Sequence, residues 1–238
     1  IREFDEKLKN NDCYKVLIDH HPDPGDFANV TLSDTRVSST AEMVYDFIQY
    51  LQLGDRMDTD IATCLYAGIM TDTGCFSFNS SRPETFRTVA NLLEMDIDKD
   101  RIFDRIYDNF SIGRMRLMGY CLERKMVYLP QYRTAYIALS QEELRQFDFK
   151  IGDSEGFVNL PLSIEGVIFS VLIMENKDCI KLSFRSKGTF PVKKIAADHF
   201  SGGGHLNAAG GESYESLQET VNKFVNLLPN YKDALHAE

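Results

Sequence analysis

The run Val16-Leu17-Ile18 ends in Asp19-His20-His21 and then meets Pro22, Pro24 and Gly25. A short apolar run closed by turn-forming residues reads as a buried strand of a parallel sheet, and the prolines prevent its ladder from continuing. The polar triplet therefore falls at the carboxyl end of a strand, where open α/β sheets bind ligands. Adjacent side chains on a strand point to opposite sides. The two histidines are thus expected to do different jobs, one binding a metal and the other facing a substrate. Taken alone, such a dipeptide is more often satisfied by backbone carbonyls. Its weight comes from two polar segments farther along the chain.

A second extended run, Asn29–Leu32, precedes a series of helical patterns. Ser39 with Glu42 predicts a capping box opening a helix through Met43, Val44, Phe47, Ile48 and Leu51. Ile61, Leu65, Tyr66 and Ile69 mark another, and further helices are expected over 83–95, 99–107 and 112–124. This alternation is α/β in character, with its first strands expected to be missing. Near residue 125 the pattern changes to strands at Lys125–Leu129, Thr134–Leu139, Gly166–Met174 and Cys179–Arg185, with helices at 141–147, 157–164, 191–200 and 215–228. A chain of 238 residues has room for two cores. The expected division is residues 1–112, a linking helix region at 113–127, and 128–238.

The charged opening Ile1-Arg2-Glu3-Phe4-Asp5-Glu6-Lys7 has neither an initiator Met nor a signal-peptide core, and reads as the start of a fragment. No apolar stretch approaches the ~20 residues that span a bilayer. Five scattered cysteines, never in a C-x-x-C pair, suit reduced thiols in a cytoplasm. A net charge of −10 disfavours a grip on long duplex nucleic acid, which requires a basic surface. Any anionic substrate should be small and held in a local pocket.

The two further segments carry chemistry. Thr71-Asp72-Thr73-Gly74 follows a helical pattern. A carboxylate at a helix C-terminus is disfavoured by ~0.3–1 kcal/mol unless a cation is near, so Asp72 makes sense as a ligand as well as a turn residue. Ser201-Gly202-Gly203-Gly204-His205-Leu206-Asn207-Ala208-Ala209-Gly210 brings backbone N–H groups close to an anion without interfering Cβ atoms, with His205 beside them. A bare glycine run is most often a helix C-cap. Upstream, Ile180, Leu182 and Phe184 alternate with Lys181, Ser183 and Arg185, so Lys181 and Arg185 share the face opposite the core. Between Asn176 and His199 the basic residues number six against two acidic, a basic patch in an acidic chain. His199 is expected to pack or cap, His236 to lie in a frayed terminus, and Phe76 and Phe78 to be core, with base stacking as the minority reading.

In this order and across two domains, Asp19-His20-His21, Thr71-Asp72-Thr73-Gly74 and Gly202-Gly203-Gly204-His205 with Ala208-Ala209-Gly210 resemble the DHH phosphoesterase family with its DHH-associated C-terminal domain. Within that family the chain is most similar to the oligoribonucleases that also dephosphorylate 3′-phosphoadenosine 5′-phosphate (pAp). The resemblance implies an α/β fold: the remnant of a parallel-sheet DHH domain, then a smaller α+β domain with a mixed sheet. It also implies a two-metal hydrolase using Mn²⁺, with Mg²⁺ admissible, whose metal site is in the first domain and whose substrate recognition comes from the second. By this resemblance His20 and Asp72 ligate one metal, Asp19 supports that site, and His21 faces the scissile phosphate. Arg185, Ser186, Gly203, Gly204, His205 and Asn207 would hold the terminal phosphate of a short oligonucleotide or nucleotide bisphosphate. Two family features, an earlier strand-end motif with a D-x-D pair and a bridging aspartate, do not occur upstream of Asp19. Ligands for only one metal are therefore expected, and the fragment alone is expected to turn over poorly or not at all. The resemblance leaves room for a homodimer. Hydrolysis of cyclic or linear dinucleotides and a non-catalytic nucleotide-binding module are the competing readings.

Overall fold

The computed structural model describes residues 7–8, 11–21 and 24–237. The charged opening over residues 1–6 and Pro22 lie outside them. The chain divides into two compact units, Ile1–Asn109 and Phe110–Glu238.

In the first unit, β1 (Val16–Asp19) pairs in parallel with β2 (Val30–Ser33), in register from Val16 opposite Val30 to Asp19 opposite Ser33. The parallel strand is where the sequence places it, but it is not buried. Val16 is 47% exposed and Leu32 37%, because among the described residues the ladder has only two strands. Four helices follow: α1 (Thr40–Tyr50), α2 (Thr59–Asp72), α3 (Pro83–Leu93) and α4 (Lys99–Tyr107). Their apolar faces enclose Tyr45, Leu65, Tyr66, Ile69, Met70 and Leu92. α1 and α2 approach so closely that a Cβ built on Gly68 would lie 2.6 Å from the Cβ of Ala41. The capping box at the start of α1 is only half formed. Ser39 Oγ accepts the Glu42 N–H at 3.1 Å, while the Glu42 carboxylate turns inward to Ser38.

The second unit opens with α5 (Ile112–Tyr120), which widens into a π-helical turn at Cys121–Lys125 rather than continuing as α-helix through 124. A six-stranded mixed sheet follows: β3 (Met126–Leu129), β4 (Thr134–Leu139), β5 (Phe169–Glu175), β6 (Ile180–Ser186), β7 (Gly203–Gly204) and β8 (Ala208–Ser213). Its order is β3-β4-β5-β6-β8-β7, and β4 with β5 is the parallel pair. The helices are α6 (Gln141–Gln146), α7 (Val192–His199), α8 (Leu217–Leu227) and α9 (Lys232–His236). The helix expected over 157–164 is a 3₁₀ segment, Phe157–Ser163, with Pro161 inside it. Proline lacks the N–H that an α-helix needs there.

The two faces of this sheet are covered unequally. Phe169, Val171, Ile173, Leu182 and Phe184 pack against α7 and α8 on one face. On the other, α5 and the 3₁₀ segment cover Ile137, Leu139 and Leu172. The β6-β8-β7 end of that second face carries Lys181, Ser183, Arg185 and Gly210, all exposed or half-buried. Among the described residues, no helix is long and apolar enough to cross a membrane.

Candidate functional site

β1 stops at Asp19, so the pleat does not extend to His20 and His21. Their rings are not sent to opposite faces, as strand alternation predicts. They meet edge to face, with centroids 4.5 Å apart and planes at 74°. The two rings differ in the anchor each takes. His20 Nδ1 lies 3.4 Å from the Val37 carbonyl. A carbonyl can only accept, so this contact places the proton on Nδ1 and the lone pair of the neutral ring on Nε2. His20 Nε2 then faces Asp72 Oδ2 at 3.7 Å. Two acceptors facing each other beyond hydrogen-bond length repel unless a cation or a proton lies between them.

His21 Nδ1 instead sits 2.6 Å from Asp19 Oδ1, which also accepts the His21 backbone N–H at 3.1 Å. The Asp19 carboxyl therefore orients His21. Partial burial pushes the Asp19 carboxyl upward. The hydrogen bonds from His21, and the nearness of both imidazoles, outweigh that and hold it below the usual carboxylate range.

Asp72 is the last residue of α2 and is half exposed. Behind it the buried Thr73 hydroxyl donates to Ile69 O at 2.7 Å and accepts the Phe76 N–H at 3.0 Å. These bonds reverse the chain through Gly74, Cys75 and Phe76, all with positive φ. Phe76 packs between Tyr66 and Phe86, as a core residue should. Phe78 is 54% exposed and lies over Gly74, contrary to its core assignment, because the glycine leaves its ring room at the surface. Among the described residues no group of three or more His, Cys, Asp or Glu side chains converges.

In the second unit, antiparallel pairing sets the face of each glycine. Ser183 is opposite Gly210, and Gly210 opposite Gly203, so all three share a face. Arg185, opposite Ala208, lies on that face too. Arg185 Nη1 donates to Phe184 O at 2.9 Å. Burial pulls the guanidinium below its ordinary value while the Glu155 carboxylate opposes this, and the group stays charged. A pocket of about 180 Å³ opens here, lined by Glu155, Leu172, Met174, Lys181, Ser183 and Arg185 among others. Opposite Arg185 on β5, Ser170 is fully buried, and its hydroxyl has no hydrogen-bond partner among the described residues.

The structure separates the predicted phosphate contacts. Ser186 points to the core side, donating to Phe190 O at 2.7 Å and accepting from Asn207 Nδ2 at 2.9 Å. Asn207 also donates to Gly188 O. Both are committed to holding the loop, because strand alternation puts Ser186 on the opposite face from Arg185. His205 lies in the β7–β8 connection, its N–H on Ala208 O at 2.7 Å. His199 packs against Tyr231, as expected, and His236 Nε2 lies 3.2 Å from Gln131 O.

The glycines are not equivalent. A Cβ on Gly202 would fall 2.0 Å from Gly210 O, and one on Gly204 (φ +145°) 2.5 Å from Ala208 O. A Cβ on Gly203 would meet nothing within 4 Å. Gly202→Ala and Gly204→Ala are therefore expected to destabilise the second unit by more than ~2 kcal/mol in thermal or urea unfolding. Gly203→Ala should change stability by less than about 0.5 kcal/mol yet raise KM for a phosphorylated substrate. An unchanged KM in Gly203→Ala would remove this face from substrate binding.

Sequence reasoning missed three groups of the first unit, behind the Val37 carbonyl that meets His20: Ser38, Thr85 and the inward-turned Glu42. All are at most 1% exposed. A polar pair directly before a helix signals a cap, and nothing local tells which way the carboxylate turns.

The chain matches the DHH family, N-terminal domain, over residues 2–69 and the DHHA1 domain over residues 132–231. It is 30% identical over 225 residues to a probable bifunctional oligoribonuclease and PAP phosphatase of Streptococcus mutans, covering 94% of this chain and 70% of that protein. It is 32% identical to the bifunctional oligoribonuclease and PAP phosphatase of Thermus thermophilus, covering 87% of this chain and 64% of that one. An exopolyphosphatase-related protein of Bacteroides fragilis shares its fold with a TM-score of 0.96 at 43% identity, over 100% of this chain and 69% of the other.

Proposed function

Because the chain belongs to the DHH family, with a DHH N-terminal domain and a DHHA1 domain, we propose that it is a metal-dependent phosphoesterase acting on short oligoribonucleotides and pAp. The observation that carries the reading is the arrangement of His20, His21, Asp19 and Asp72 at one strand end and one helix end. The donor set fits a divalent ion. An imidazole nitrogen and a carboxylate oxygen face each other at 3.7 Å, and two donors each ~2.1 Å from one ion lie roughly 3–4 Å apart. His20 and Asp72 would hold that ion, with Mn²⁺ proposed and Mg²⁺ admissible. Cations of this kind, when bound, lower the pKa of water and neutralise charge developing on the phosphoryl oxygens.

The chain's own residues do the rest. The Val37 carbonyl keeps the His20 proton on Nδ1 and so keeps Nε2 basic toward Asp72. Asp19 holds His21 by Nδ1, and the His21 ring is proposed as the group that exchanges a proton with, or donates to, a phosphoryl oxygen. Arg185 supplies a charge-assisted contact to a terminal phosphate, and the exposed row Ser183, Gly210 and Gly203 lets the substrate backbone approach the sheet. Net charge of −10 opposes longer phosphate chains. Five cysteines without a disulfide support a cytoplasmic setting.

With Mn²⁺, this chain or an N-terminally extended form is expected to release phosphate from pAp and mononucleotides from a 5′-phosphorylated diribonucleotide, with little turnover of a cyclic dinucleotide. Turnover confined to the cyclic substrate would move the assignment to cyclic-dinucleotide hydrolysis. Turnover of nothing by either form would leave a nucleotide-binding module.

A further inference from the structure

Glu42 is completely buried, as are its neighbours Ser39 and Thr85, and Ser38 is 1% exposed. One carboxylate oxygen, Oε2, collects three donors: the Ser38 N–H at 3.3 Å, the Ser38 hydroxyl at 2.5 Å and, from α3, the Thr85 hydroxyl at 2.8 Å. The other oxygen, Oε1, is buried with no hydrogen-bond partner among the described residues. Burying a half-satisfied carboxyl is costly. Capping α1 does not require it, since the Ser39 side chain already caps through the Glu42 N–H. What the three bonds achieve is to tie the segment before α1 to α3, and that segment ends in the Val37 carbonyl that receives His20 Nδ1.

We propose that Glu42 is a positioning residue for His20: by clamping Ser38 it fixes the Val37 carbonyl, and through it the tautomer and aim of the His20 ring toward Asp72. Glu42 touches neither histidine nor substrate. The linkage runs carboxylate to Ser38, Ser38 to the adjoining Val37 peptide, and Val37 O to the imidazole. Only the purpose of a basic Nε2 rests on the phosphoesterase reading; the linkage itself does not. Gln at position 42 keeps one oxygen for the Ser38 and Thr85 donors, whereas Ala removes it.

The test uses the 238-residue chain labelled with ¹⁵N-histidine, without metal or substrate, at pH 8, where long-range ¹⁵N–¹H spectra report which ring nitrogen carries the proton; a His20→Asn spectrum assigns the signal. The native protein and Glu42→Gln are expected to show His20 protonated on Nδ1. Glu42→Ala should show a mixture shifted toward Nε2–H and, in a separate titration, Mn²⁺ affinity lowered ~10–100-fold. Rescue by Gln but not Ala separates positioning from a need for charge. Should Glu42→Ala fail to fold, the double variant Ser38→Ala/Thr85→Val, which removes the two hydroxyl donors and leaves the carboxylate, is read the same way, with a smaller shift expected. A folded Glu42→Ala, or failing that the double variant, with the native His20 tautomer overturns the proposal. A shifted tautomer in a protein that binds no Mn²⁺ would support it and count against the phosphoesterase reading instead.

Discussion

Replacing His21 with alanine is expected to lower kcat on pAp by ~10²–10⁴-fold, the usual effect of losing one positioned acid–base or electrostatic group, while Mn²⁺ affinity stays close to native. His20→Ala should do the reverse at the binding step, weakening Mn²⁺ by at least ~10–100-fold, with activity partly restored at high Mn²⁺. The asymmetry follows from the anchors. His20 is held by a backbone carbonyl and aims Nε2 at Asp72 3.7 Å away, whereas His21 is held by the Asp19 carboxylate at 2.6 Å. Isothermal titration with Mn²⁺, alongside steady-state kinetics on both variants, separates the two effects. Equal losses of Mn²⁺ affinity would mean that both rings are ligands, and that their edge-to-face contact brings them to the same ion.

Arg185→Ala is expected to raise KM for pAp or a 5′-phosphorylated dinucleotide about 10–100-fold, since a hydrogen bond to a charged group contributes roughly 1.5–3 kcal/mol. The half-buried guanidinium lies on a face that otherwise offers glycine backbone, a serine and Lys181, so the loss leaves no nearby arginine to substitute. Removing the 5′-phosphate from the substrate should mimic the mutation, and the two losses should be far from additive because each deletes one side of the same contact. Full additivity, or equal kcat/KM on a 24-mer and a dimer, would show that Arg185 does not hold a terminal phosphate and would favour a processive exonuclease.

Periodicity made the fold legible wherever one residue in two or one in four is apolar over a long enough stretch. Helices α1 and α2 and strand β6 announce themselves this way, while β1 is marked by a short apolar run closed by turn residues. It failed where geometry rests on backbone pairing without side chains. β7 and β8 are written in glycine and alanine, which carry no strand signal, and Gly203 is distinguished from its neighbours only by what lies opposite. The 3₁₀ segment at Phe157–Ser163 has helical spacing, but Pro161 excludes the α form. The site was legible in residue type and not in partnership. Asp19 pairs with His21 and His20 faces Asp72, yet which ring Asp19 holds depends on where β1 ends. A shift of one residue would have restored strand alternation. The resemblance implies Ser186 as a phosphate contact together with Arg185, and in a strand adjacent side chains go to opposite faces.

The close crossing of α1 and α2 gives a residue with no functional group a share in placing Asp72. Gly68 and Asp72 lie four positions apart on α2 and so occupy one side of that helix, one turn from each other. Ala41, against which Gly68 rests, precedes Glu42 on α1. A methyl group at position 68 would ordinarily favour the helix by ~1 kcal/mol. Here it would meet another methyl at 2.6 Å, with no flexible side chain to yield, so the axes themselves must separate. The reach of the Asp72 carboxylate toward its imidazole is in that sense a machining tolerance, set by a clearance narrower than one carbon atom at a point that touches no ligand at all.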